Sequence, residues 1–86
     1  MKEDEALAKI SVAGRNDAYF IVPHARFDRM PLRGVQAADI RHGLEYARSA
    51  KRQPNGRWRV ETVDRTGDAL TLIVELTPAV VVVTVF

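Results

Sequence analysis

The sequence predicts an α+β domain, with two to three helices packed on one face of a twisted antiparallel sheet. Three observations predict it. Apolar residues recur at helical spacing in the first half of the chain, around residues 3–12 and 36–48. They alternate in the second half, in "RWRVETVD" and "ALTLIVEL". Short turns separate these alternating runs, so helices come first and a meander follows.

The elements follow in order. In residues 3–12, "EDEALAKISV", Ala6, Leu7 and Ile10 sit at helix spacing, and the acids at the start suit the helix dipole. "GRND" at 14–17 reads as a loop, and "AYFIV" as a short strand of aromatic and β-branched residues. Pro23 fits the first turn of a helix with Phe27 and Met30 on one face. Pro31 disfavours helical geometry at Met30, so this helix is short or kinked, and Gly34 ends it. The next helix runs from about Gln36 to Arg48, with Ala37, Ile40, Leu44 and Ala47 as its apolar stripe. Gly43 weakens it by about 1 kcal/mol relative to alanine, and a glycine there gives room for another element to approach.

"QPNG" at 53–56 is a turn. In the strand after it, Trp58, Val60 and Thr62 share one face, and Arg57, Arg59 and Glu61 the other. Gly67 builds a hairpin turn. Leu70, Leu72, Val74 and Leu76 then alternate with Thr71, Ile73 and Glu75. "VVVVTVF" is apolar on both faces apart from Thr84, as expected of a central or doubly covered strand. Trp58 and the leucine row should face the helices. The opposite face, bearing Arg57, Arg59, Glu61, Thr71 and Glu75, is then either plain solvent surface or a binding surface.

A chain of 86 residues holds one domain, residues 1–86. It has no cysteine, which removes disulfides, cysteine zinc sites and a cysteine nucleophile. His24 and His42 are its only histidines and match no metal spacing; no P-loop, GxSxG or GxGxxG occurs. No metal and no cofactor is therefore expected. The charged opening "MKEDEALAK" does not read as a signal peptide and no apolar run is long enough for a membrane span, so the expected location is the cytoplasm. Net charge is +2, unevenly spread: residues 41–59 carry Arg41, Arg48, Lys51, Arg52, Arg57 and Arg59 against Glu45 alone. That block suits either a polyanionic or acidic partner or a solvated surface.

Three constellations carry candidate chemistry. His24 stands with Arg26, Arg29 and Arg33; histidine can move a proton near neutral pH, and arginine can grip a phosphate with two bonds. The alternative is that His24 pairs with Asp28 one turn on. Arg57 and Arg59 form a phosphate-tracking pair, with Glu61 on the same face either as a base or as the neutraliser of Arg59. Lys51 and Arg52, leading into the turn, are backbone-contact candidates or ordinary surface, and Tyr46 could stack a base or pack on the sheet edge.

The stretch "PHARFDRMPLRGVQAADIRHGLEYAR" also resembles a family of small bacterial domains in the RelE-like toxin superfamily, related to the MqsR and BrnT toxins. The resemblance rests on His24-Ala25, Arg29-Met30 and Arg33-Gly34-Val35, then on the "GRWRV" strand, the Gly67-Asp68 turn and the terminal "VVVVTVF", and covers about residues 18–86. Here the Arg-Met pair stands one residue further from the histidine than in the family pattern, and a proline follows it; either change turns His24 relative to Arg29. The resemblance implies a RelE-like fold with its cleft on the sheet face away from the helices. It implies a type II toxin that cleaves messenger RNA, on the ribosome or off it, with a cognate antitoxin of zinc-finger or helix-turn-helix type. The implied cleavage needs no metal: the RNA 2′-hydroxyl attacks the adjacent phosphate while protein groups move protons and stabilise charge.

On this reading His24 transfers the proton, Arg57 and Arg59 hold the phosphate, Glu61 is a candidate base, and Arg29, Arg33, Lys51 and Arg52 contact RNA. The His24 segment and the Arg57/Arg59 strand are expected to form two walls of one cleft. The competing expectation is a non-catalytic module that binds nucleic acid or protein on the same scaffold. A homo-oligomer pairing through the edge beside "VVVVTVF" is a further expectation.

Overall fold

A computed structural model describes residues 1–86. Helix α1 spans Glu3–Arg15 and strand β1 Tyr19–Ile21. A π-helical turn, His24–Arg29, runs directly into the α-helical Met30–Arg33, and the two together are α2. Helix α3 is Ala37–Glu45, followed by β2 Ser49–Arg52, β3 Trp58–Val63, β4 Ala69–Leu76 and β5 Val80–Val85. The strands lie in the order β1-β5-β4-β3-β2. The predicted α+β class is found, with helices over a mostly antiparallel open sheet. One pairing differs: β1 runs parallel to β5. A parallel neighbour needs a long connection, and here everything between Val22 and Ala79 supplies it.

Alternation sorts the sheet as the sequence indicates. Trp58, Val60, Thr62, Leu70, Leu72 and Val74 are buried against the helices, as are Val80, Val82 and Val85 of β5. They meet Ala6, Ile10 and Ala13 of α1, Met30 of α2, and Ile40 and Leu44 of α3 in one core. β5 is an interior strand, as its apolar run implies, and a bulge between Ile73 and Val74 shifts its register on β4.

Several expected boundaries move. α1 continues through Gly14 and Arg15, where a loop was expected, and the glycine lets α3 pack close there: a Cβ would stand 2.9 Å from Leu44 Cβ and 3.0 Å from the Arg41 carbonyl oxygen. Asp17 (φ 55°) then takes the left-handed position that ends the helix, its N–H donating to Gly14 O and that of Ala18 to Ala13 O. α3 stops at Glu45 rather than Arg48, and β2 was not expected at all; the Arg48 N–H already donates to Glu61 O, so the chain has joined the sheet by then. Gly43 does admit a neighbour: Thr62 Cγ2 would lie 3.0 Å from a Cβ there.

α2 begins as a π turn and continues as an α turn. A π turn holds one residue more than an α turn. Arg29 Nε donates to the Val85 carbonyl at 3.4 Å, and Met30 is buried in the core. Helical geometry persists at Met30 despite Pro31, and the hydrogen-bonding pattern changes from π to α there instead. Gly34 (φ 65°) closes α2, with its N–H on Pro31 O and that of Val35 on Met30 O.

The C-terminal ends of α1 and α3 cap each other. Arg41 of α3 donates from Nε to Gly14 O and from Nη2 to Arg15 O, both at 3.1 Å. Ser11 of α1 donates to Glu45 O at 2.7 Å. Buried Thr62 donates to Gly43 O, and Tyr46 and Ala47 donate to His42 O and Leu44 O. The four last carbonyls of α3, which a helix end leaves without helical partners, are thus all satisfied.

Candidate functional site

The sheet face turned away from the helices is the candidate surface. Strand register lays its side chains out in rows. Lys51 of β2 lies directly opposite Arg59 of β3, which lies opposite Ile73 of β4, itself opposite Thr84 of β5. A second row runs from Phe20 of β1 through Val81 of β5 and Glu75 of β4. Trp58 pairs with Val74, so Arg57 comes next to Glu75, and Arg57 Nε is 3.7 Å from Glu75 Oε2. A third row holds Ser49, Glu61 and Thr71. The face is therefore cationic at its β2–β3 side and apolar at its β5–β1 side, where Phe20 is 66% exposed.

The charges on this face are not equivalent. Arg59 Nε donates to Glu61 Oε1 at 2.7 Å, and the Thr71 hydroxyl donates to the other oxygen, Oε2, at 2.9 Å. These bonds favour the ionised carboxylate, and Arg59 foremost and then Thr71 hold Glu61 below its ordinary range. Such a carboxylate is a weak proton acceptor near neutral pH. Of the two roles open to Glu61, the geometry shows neutralisation of Arg59. Arg57 is held more loosely, and it borders a recess of about 460 Å³ lined by Asn55, Gly56, Glu75, Leu76 and Thr77. Lys51 has no carboxylate within ion-pair distance and faces another cation across the ladder. Like charges directly opposite destabilise a sheet pair.

The remaining candidates lie elsewhere. His24 sits at the start of α2, with Nδ1 3.1 Å from Asp28 Oδ2; both side chains are exposed. That is the pairing expected of a surface helix. Arg29 is tied into the fold through Val85 O and lies 5.5 Å from the centre of the Phe86 ring. Arg33 is exposed at the end of α2. Arg52 projects to the helix-side face, opposite Trp58 in register and 5.6 Å from the Trp58 ring centre, so it does not accompany Lys51. The expected shared cleft is not formed. His24 lines none of the surface recesses, and β5 and β4 separate α2 from β3 because α2 docks through Met30 into the helix-side core.

Two residues on which the structure places weight were not among the candidates. Arg41 fastens α1 to α3, which only the helix crossing reveals. Phe20 was legible: Tyr19 and Ile21 pack on the core, so alternation turns Phe20 outward. Three or more potential metal ligands cluster nowhere, and no helix is long and apolar enough to cross a membrane. Compared with protein families, with curated proteins and with solved structures, the chain finds no match in any of the three.

Proposed function

We propose that this protein binds RNA through the open face of its sheet. One observation carries the reading: Lys51 and Arg59 are held side by side, with Arg57 just before the strand that carries Arg59, on a face that no helix covers. Glu61 offsets the charge of Arg59, but Lys51 beside it has no carboxylate partner, so the pair keeps a net positive charge for a phosphate. Arg57 and Arg59 hold phosphates on this reading, and Lys51 adds a third contact.

Two outcomes of binding are distinguished. The resemblance supplies cleavage: a cytoplasmic type II toxin, restrained by an antitoxin, that cuts messenger RNA without metal, with His24 moving the proton. The geometry favours holding without cutting. Glu61 is engaged by Arg59 and Thr71, and His24 lies on another layer beside Asp28.

The test is titration of a fluorescein-labelled single-stranded RNA at several salt concentrations, with cleavage followed on gels in EDTA. If three cations each neutralise one phosphate, log K falls with log salt at a slope of about −2. Lys51→Glu with Arg59→Glu abolishes binding on this reading, whereas absent or salt-insensitive binding by the unaltered protein overturns it. RNA fragments that appear with the unaltered protein and vanish with His24→Ala establish cleavage; binding without fragments establishes holding.

A further inference from the structure

We infer that Phe20 is a stacking platform for an unpaired RNA base, so that the protein selects single-stranded over duplex RNA; this rests on the RNA-binding reading above. Phe20 is a large aromatic side chain on the open face of the sheet, and it is 66% exposed. Its ring has no aromatic or cationic partner, unlike those of Tyr46, Trp58 and Phe86. The backbone aims it outward because Tyr19 and Ile21 on either side are anchored in the core.

Its position in the row gives the ring a use. Phe20, Val81 and Glu75 follow one another across three strands, and Arg57, just before β3, comes next. At about 4.8 Å per strand, Phe20 and Arg57 stand roughly 14 Å apart. A base lying on Phe20 with its sugar over half-buried Val81 directs its phosphates toward Arg57. The sugar-phosphate backbone then runs along the cationic side, at Arg57, Arg59 and Lys51. Glu75 and Glu61 repel phosphate, and this keeps the backbone to the arginine and lysine side chains rather than the middle of the face. A duplex cannot use this row, because its bases are stacked inside and present no free face. Aromatic rings interleaved with cations on one surface are the general chemistry of single-strand binding.

The experiment compares a single-stranded 12-mer carrying one 2-aminopurine with the same strand in a blunt duplex. The unaltered protein should bind the single strand more tightly and quench the 2-aminopurine. Phe20→Ala should weaken single-strand binding by roughly tenfold, the loss of one base–aromatic stack, and abolish the quench. Phe20→Tyr should restore both, while Phe20→Leu, which keeps apolar area without a ring, should not. Equal binding by Phe20→Ala and the unaltered protein, with binding still lost in the Lys51→Glu, Arg59→Glu variant, overturns the stacking role and leaves the RNA reading standing. Absence of RNA binding by the unaltered protein removes both. A dimer in light scattering that Phe20→Ala dissociates assigns the ring to a second copy of the chain, and also overturns the proposal.

Discussion

Replacing Gly14 by alanine tests the crossing of α1 and α3, on which the helical layer depends. The added methyl would sit 2.9 Å from Leu44 Cβ and 3.0 Å from Arg41 O, and closer still to the Glu45 backbone nitrogen. Carbon atoms pack at about 3.5–4.0 Å, so the helices must separate by roughly half an ångström or more. No rotamer change relieves this, since two of the three obstacles are backbone and fully buried Leu44 is the third. Overpacking of this kind costs about 1–3 kcal/mol. Separation also stretches the Ser11–Glu45 and Arg41–Gly14 hydrogen bonds beside the contact, each worth about 1 kcal/mol. Against this, alanine in a helix regains up to about 1 kcal/mol over glycine. The balance is a loss of about 2–4 kcal/mol, which for a domain of this size lowers the melting temperature by roughly 10–25 °C. Gly43→Ala is the control, because its nearest obstacles are the side-chain methyls Thr62 Cγ2 and Leu70 Cδ2, at 3.0 and 3.3 Å. It should cost about 1 kcal/mol. Circular-dichroism melts and urea titrations read both. A Gly14→Ala protein that melts at or above the unaltered temperature, or a larger cost at Gly43, would refute the crossing geometry.

Two further predictions concern the supports of α3. Thr62→Val keeps the shape of a buried side chain but leaves Gly43 O without its hydroxyl donor; a cost of about 1–2 kcal/mol is expected in urea denaturation. Asp39 accepts from Gln36 N and from Arg65 N and Nε, and the Arg65 guanidinium foremost holds its carboxyl below the ordinary value of about 3.8. A depressed folded value means the stabilisation is full above the ordinary value and fades as pH falls through the folded one. Asp39→Ala should therefore lie about 1–2 kcal/mol below the unaltered protein at pH 6, and the gap should close below about pH 4. A gap that widens on acidification contradicts that sign.

Side-chain alternation is a local property, and the local parts of the structure could be read from the sequence. Trp58, Val60 and Thr62 against Arg57, Arg59 and Glu61 gave the two sheet faces, and the spacing of His24 and Asp28 gave their pairing. Whatever depends on a distant partner could not be read. Ser49–Arg52 buries only Ala50 deeply, so nothing in its own pattern marks a strand, and its pairing with β3 makes it one. The same register turns Arg52 away from Lys51, dividing a pair that looked continuous in the sequence. The parallel match of β1 with β5 joins segments sixty residues apart (Tyr19 with Val80, roughly the whole domain). The π turn in α2 was hidden because hydrogen-bond period leaves no trace in a segment with only Ala25 and Met30 buried. Gly14 reads as a loop residue alone, and becomes a helix residue only when α3 lies against it.

The exchange of caps between α1 and α3 makes the two helices one unit in time as well as in space. If α1 frays at its end, Ser11 withdraws from Glu45 and Arg41 loses both its acceptors. If α3 loosens, the last carbonyls of α1 lose the guanidinium. Neither end can open alone without stranding polar groups of the other, so both open in a single event whose free energy exceeds that of ordinary end fraying. The end of α1 is latched by a segment nearly thirty residues away in the chain.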